Sequence, residues 1–242
     1  MSDYEVLWVA TKETPRDYYD RQMYANEQGA HVYIEHHFNA KEYDREGIGD
    51  NPTFCLVGSN ASETSKAIGR TYSDLVSAKF GTEDQGVIQC AYKGRGDYNL
   101  RFTGMPAILL EPLFVSDEQL ATIAMSDVGQ QKLAQCLVDT IKEHFPSGAK
   151  VAFSIGHKYK VSQPYDRGAP VAGGNGLGEA DIAEDVMILA AEMLASDEPV
   201  EVLPPASKKT YEFDKPIMIR SEGSKTIVTE LDQWQKDSTT TS

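Results

Sequence analysis

Four short segments carry side chains able to bind a metal or move a proton. Ile155-Gly156-His157 ends the apolar run Lys150–Ile155, where a glycine permits a sharp turn and an imidazole at a sheet edge. Glu179, in Gly176-Leu177-Gly178-Glu179, opens a helical stretch. His36-His37-Phe38-Asn39-Ala40 follows the extended run His31–Glu35. Side chains alternate along such a run, so His36 and His37 point opposite ways and only one faces a given site. Glu111 directly follows the apolar run Met105–Leu110. A buried carboxylate there costs several kcal/mol, by order of magnitude, unless it protonates or meets a cation. Each residue also has a plainer explanation. A lone histidine after a strand is often a surface group, and a carboxylate at a helix start is favoured by the dipole. The histidine pair can be one structural and one exposed residue, and Glu111 a solvated strand end.

Taken together the four have one chemistry in common. Two histidines and a glutamate are the protein ligands of a hydrolytic zinc site with an open position. Such a metal polarises a carbonyl and brings the pKa of water towards ~7. A further carboxylate can then act as general base. Spacing alone does not bring the four residues together; the elements that carry them must.

Those elements alternate. Tyr4–Ala10, His31–Glu35, Phe54–Val57, Met105–Leu110 and Lys150–Ile155 read as strands. Pro15–Gly29 reads as a helix, and Ser62–Phe80, Val128–Phe145 and Glu179–Ala195 carry apolar residues at helical spacing. The alternation predicts an α/β domain around a mixed, largely parallel central sheet flanked by helices. The candidates sit at the carboxyl ends of strands, where α/β sheets collect ligands. The catalytic domain is expected over residues 1–200. Residues 201–242 form an extension, with a hairpin expected around Glu222-Gly223-Ser224 and a polar, frayed tail at Asp237–Ser242.

The chain has 242 residues, 40% hydrophobic and 25% charged, as in an ordinary globular domain. Its net charge of −14 disfavours nucleic acid and anionic membranes as partners. It also gives no long-range attraction to an anionic cell wall. Cys55, Cys90 and Cys136 lack metal-like spacing and are expected as free thiols. The segment beginning MSDYEVLWVATKETP shows no secretory pattern, and no run is long and apolar enough to span a membrane, so a cytoplasmic location is expected.

The segments resemble the zinc-dependent N-acetylmuramoyl-L-alanine amidases of the Amidase_3 type. The resemblance rests on three blocks. One is Val151–His157, Asp166-Arg167-Gly168-Ala169 and Glu179-Ala180-Asp181-Ile182. The next is Tyr4–Ala10, Arg21 to Ala25-Asn26, and Glu35-His36-His37-Phe38-Asn39-Ala40. The last is Pro106–Glu111 with Phe114-Val115-Ser116, followed by the helix Val128–Phe145. The blocks stand in a cyclically shifted order, because what opens the family lies at residues 151–195. The resemblance therefore implies a circular permutant with its junction near Pro146–Ala149. It covers roughly residues 4–195 and selects His37 over His36 as a ligand. It further implies Zn2+ held by His37, Glu179 and His157, with Glu111 as catalytic base. Asn39, Arg101 and Arg167 are candidates for contacting substrate. The chain departs from the pattern at Ser154-Ile155, at Lys158, and at Glu35, which stands in place of a small residue. Glu35 either alters the charge at the metal or points away.

The implied activity is hydrolysis of the amide between N-acetylmuramic acid and L-alanine in peptidoglycan or muropeptides. A phage or prophage lysin, released onto the wall from the cytoplasm, fits that expectation. One alternative is a related zinc carboxypeptidase, which needs a cation for a terminal carboxylate; Arg101, Arg167 and Lys158 are the candidates. Another is an inactive wall-binding or virion module.

Overall fold

A computed structural model describes residues 4–41, 51–195, 217–222 and 225–230. The chain divides into two compact units, Met1–Val202 and Leu203–Ser242.

The first unit is an α/β domain with six strands. They are β1 (Glu5–Trp8), β2 (Val32–His36), β3 (Pro52–Val57), β4 (Glu83–Gln89), β5 (Ala107–Glu111) and β6 (Lys150–Ile155). The sheet order is β1-β6-β2-β5-β3-β4. Neighbours are parallel except at β5 and β3, which pair antiparallel. The sheet is thus mixed and largely parallel, with β3 and β4 running against the other four. The middle strands are apolar because they are buried on both faces, as parallel strands between covering layers must be. Ile108 and Leu110 of β5 are fully buried. Each such side chain contributes about 1.5–3 kcal/mol relative to an exposed one.

The helices are α1 (Tyr18–Glu27), α2 (Glu63–Phe80), α3 (Asp97–Leu100), α4 (Glu118–Met125), α5 (Asp127–His144) and α6 (Glu179–Ala195). α2 packs on β3, β4 and β5, α6 on β6, β2 and β1, and α5 against both helices. The starts of α2 and α5 are set by Ser62 and Ser126, whose side chains accept from the N–H groups of Ser65 and Gly129. Such caps satisfy donors that the first helical turn leaves free.

Three elements are short or polar enough to escape a reading from sequence. β4 is a polar edge strand, exposed at Glu83, Asp84 and Gln89. α3 spans a single turn. α4 spans two turns and meets α5 at Ser126, just before the helix read at Val128–Phe145.

In the second unit, β7 (Ile217–Glu222) and β8 (Lys225–Glu230) pair antiparallel, with Ile217 opposite Glu230 and Glu222 opposite Lys225. The proline-rich stretch 201–205 and the tail 237–242 lie outside the described residues.

Candidate metal centre

β6, β2 and β5 are adjacent and parallel, so their carboxyl ends share one edge of the sheet. His157 follows β6, His37 follows β2, and Glu111 ends β5. The N-terminus of α6 supplies Glu179. Residues far apart in sequence therefore meet because three consecutive strands of the sheet point them the same way.

One ligand atom from each of His37, His157 and Glu179 lies within 4.8 Å of the others, a spacing that can hold one metal ion. Glu179 Oε1 is 3.2 Å from His37 Nδ1 and 2.9 Å from His157 Nε2. The outer nitrogen of each ring faces another carboxylate. His157 Nδ1 lies 2.9 Å from Asp166 Oδ2, and His37 Nε2 lies 2.9 Å from Glu35 Oε1. Carboxylates behind imidazoles are the usual outer partners of metal-binding histidines. The donor set, two imidazoles and one carboxylate with their outer nitrogens engaged, fits a zinc ion.

Burial would push Glu179 up, but the hydrogen bonds and charges of His157 and His37 hold it down at about 2. Burial disfavours the charged form of His37, yet Glu179 and Glu35 outweigh it and raise the imidazole to about 10. A metal taking Nδ1 therefore replaces a proton. His36 points the other way and is fully buried. Burial, then the charge of His37, lowers it to about 3, and its Nδ1 lies 3.0 Å from the His37 carbonyl.

The local backbone explains two glycines. A Cβ on Gly156 would stand 2.4 Å from His37 Cε1, so the ring of one ligand packs against the bare backbone before the other. Close approach is the reason for that glycine; the turn itself falls on His157, whose φ is +63°. Few non-glycine residues adopt this conformation, and those that do cluster at functional sites. Here the Tyr18 hydroxyl holds it, accepting from His157 N at 3.0 Å. A Cβ on Gly168 would stand 2.4 Å from Glu179 Cγ and 2.7 Å from His157 Cδ2.

Glu111 is buried and lines the same cavity, about 630 Å³, as His37, His157 and Glu179. Its Oε1 accepts from Arg95 Nη2 at 2.9 Å, and its Oε2 has no hydrogen-bond partner among the described residues. Burial raises the carboxyl to about 7 against the pull of Arg95 and His37. A carboxylate poised near neutrality suits a general base. Phe54, Leu56, Ile88 and Cys90 form an apolar wall to the cavity. Cys55, Cys90 and Cys136 are buried and form no disulfide among the described residues.

Glu35 does not point away: it is fully buried and joined to His37. The three residues suggested for substrate contact are not brought to the cavity wall. Asn39 is buried, its Oδ1 accepting from Ala40 N, because its backbone bridges to Phe114. Arg101 lies over Phe102, Tyr92 and Tyr98 beside Asp97. Arg167 pairs with Asp181 in the first turn of α6. Lys158 is held by Asp181 and Glu184. The wall contains instead Arg95, Asn99, Tyr18 and Asp166. Asp166 belongs to a recognisable Asp-x-Gly-Ala segment. Arg95 carries no signal beyond the glycine-flanked turn Gly94-Arg95-Gly96.

No helix among the described residues is long and apolar enough to cross a membrane. No curated protein matches the sequence. Among solved structures, the chain is similar to an N-acetylmuramoyl-L-alanine amidase from Clostridium difficile 630. The two are 23% identical over 52% of this chain, with a TM-score of 0.45. The match spans 64% of that protein's length. The catalytic domain of CwlV, an N-acetylmuramoyl-L-alanine amidase from Bacillus (Paenibacillus) polymyxa var. colistinus, is 23% identical. There the match covers 57% of this chain and 71% of that one, with a TM-score of 0.47. A family model, that of N-acetylmuramoyl-L-alanine amidase (Amidase_3), matches residues 1–143, more than half of the sequence. The chain belongs to the Amidase_3 family of N-acetylmuramoyl-L-alanine amidases.

Proposed function

We propose that this chain hydrolyses the amide joining N-acetylmuramic acid to L-alanine in peptidoglycan, with zinc held by His37, His157 and Glu179. The observation that carries the proposal is the convergence of three ligand atoms within 4.8 Å in a cavity that also contains the buried carboxylate of Glu111. Zinc at that position supplies Lewis acidity toward a carbonyl and toward water. Glu111 takes a proton from the attacking water and returns it to the L-alanine nitrogen as the C–N bond breaks. Glu35 and Asp166 hold the two imidazoles, and the apolar wall of Phe54, Leu56 and Ile88 limits water around the reacting carbonyl. This chemistry is placed in residues 1–200.

The proposal includes a circular permutation with its junction near residues 146–149. In support, the family match ends at residue 143, while β6 and α6, which carry His157 and Glu179, follow it. Yet β6 lies inside the sheet, between β1 and β2. The joining loop is short, with Ala149 N donating to Pro146 O at 3.2 Å.

A zinc carboxypeptidase is the alternative with an observation in its favour. Arg95 is the lysine or arginine on the described cavity wall, and a guanidinium there can receive a terminal carboxylate. Digestion of purified peptidoglycan separates the two functions. The amidase produces new L-alanine amino termini and loses activity to a chelator. Release of free C-terminal amino acids without those termini would establish the carboxypeptidase. Zinc-loaded protein that produces neither would leave a non-catalytic wall-binding module.

A further inference from the structure

Glu35 is a carboxylate in the fully buried interior of the sheet. An unpaired charge there would be severely unfavourable, so its partners show what it is built to do. Tyr33, Glu35 and His37 alternate onto one face of the extended segment. The parallel register sets Ser154 of β6 beside Glu35. Glu35 Oε2 accepts from the Tyr33 hydroxyl at 2.9 Å and from Ser154 Oγ at 2.9 Å. Glu35 Oε1 accepts from Asn99 Nδ2 at 2.5 Å and lies 2.9 Å from His37 Nε2. Ser154 Oγ in turn accepts from Arg21 Nη1 at 3.0 Å, and the same nitrogen donates to Ile155 O at 2.7 Å. Arg21 is itself fully buried. Among the described residues, Tyr33, Ser154 and Asn99 fix the carboxylate in place by hydrogen bonds, the charge of Arg21 supports it, and the ring of His37 takes the remaining contact.

We propose that Glu35 is a positioning residue for the metal: it accepts the Nε2 proton of His37 and so presents Nδ1 as the ligand atom. This rests on the zinc site proposed above. Asp166 does the converse for His157, engaging Nδ1 and leaving Nε2 toward Glu179. The two imidazoles thus use different ring nitrogens, and the choice at His37 is made by a residue on its own strand. Partners of this kind change metal affinity about 10- to 100-fold when removed.

The test begins with the full-length wild type loaded with zinc. Long-range ¹H–¹⁵N NMR of the histidine rings reads which His37 nitrogen carries the proton. The expected result is a protonated, exchange-protected Nε2 and a zinc-bound Nδ1. Zinc on Nε2 of His37 would overturn the proposal, and this readout needs no variant to fold. Zinc affinity by chelator competition follows for Glu35→Gln and Glu35→Met. The glutamine keeps an acceptor and should stay within about threefold of wild type, whereas the methionine should bind about 10- to 100-fold more weakly. Wild-type affinity in Glu35→Met would overturn the role of Glu35 while leaving the zinc site standing. Failure of the wild type to bind zinc would instead remove the metal site itself.

Discussion

At the scale of single residues, the geometry assigns separable tasks to Glu111 and Arg95. Among the described residues, the Glu111 carboxylate hydrogen-bonds neither His37 nor Glu179 and accepts only from Arg95. Replacing it with glutamine should leave zinc binding intact and lower kcat by about 10²- to 10⁴-fold, the usual contribution of a positioned base. Zinc analysis alongside turnover on a muropeptide checks both halves. The pH dependence has a definite sign. Burial raises the Glu111 carboxyl to about 7 while Arg95 pulls it down. The base works ionised, so kcat/KM should rise with pH through its pKa, and a bound zinc cation should draw that limb below 7. Arg95→Ala removes a cation and should move the limb upward from its wild-type position. A limb that stays put or moves down would mean that Glu111 is not the titrating base.

At the scale of elements, the site depends on strand ends that approach one another closely. The strands carrying it are legible in sequence because Met105–Leu110 and Lys150–Ile155 are apolar runs of strand length, and alternation after His31–Glu35 separates His36 from His37. The polar edge strand β4 is not legible, since nothing in Glu83–Gln89 alternates. Arg95 is not legible because its meaning comes from a contact with Glu111 across the cavity, not from its own segment. The role of Glu35 depends on the register of β2 against β6, which sets Ser154 beside it and which no local pattern specifies. Asn39, Arg101 and Arg167 are legible by type, but their side chains do not line the described cavity. Their types suit substrate binding, but Asn39 is buried beside the Phe114 bridge, Arg101 stacks on aromatic rings and Arg167 pairs with Asp181. Close packing at the strand ends gives a direct prediction for Gly156→Ala. The added Cβ would stand 2.4 Å from His37 Cε1, so the ring must move. The variant should lose about 1–3 kcal/mol of stability, the usual cost of overpacking, and bind zinc more weakly. Denaturant unfolding and chelator competition measure the two effects.

At the scale of the whole molecule, the matched family segment and the folded domain do not coincide. A chain ending at residue 143 lacks β6, which lies between β1 and β2, and lacks His157 and Glu179. It should fail to form a cooperative domain or bind zinc. A chain ending at residue 200 keeps all six strands and should unfold cooperatively and bind zinc like the full protein. Calorimetry and zinc titration distinguish these outcomes. The permutation is testable by moving residues 150–195 ahead of residue 4 through a flexible linker. That order should preserve the fold, since each strand keeps its neighbours and chain breaks at exposed loops are tolerated.

The chemistry of this chain requires His37, His157 and Glu179 to hold one zinc ion together. Zinc titration of the metal-free full-length protein should show one equivalent bound by the wild type, and a loss of that binding in each of His37→Ala, His157→Ala and Glu179→Ala. Retention of a full, tight equivalent by any one of the three variants would contradict it.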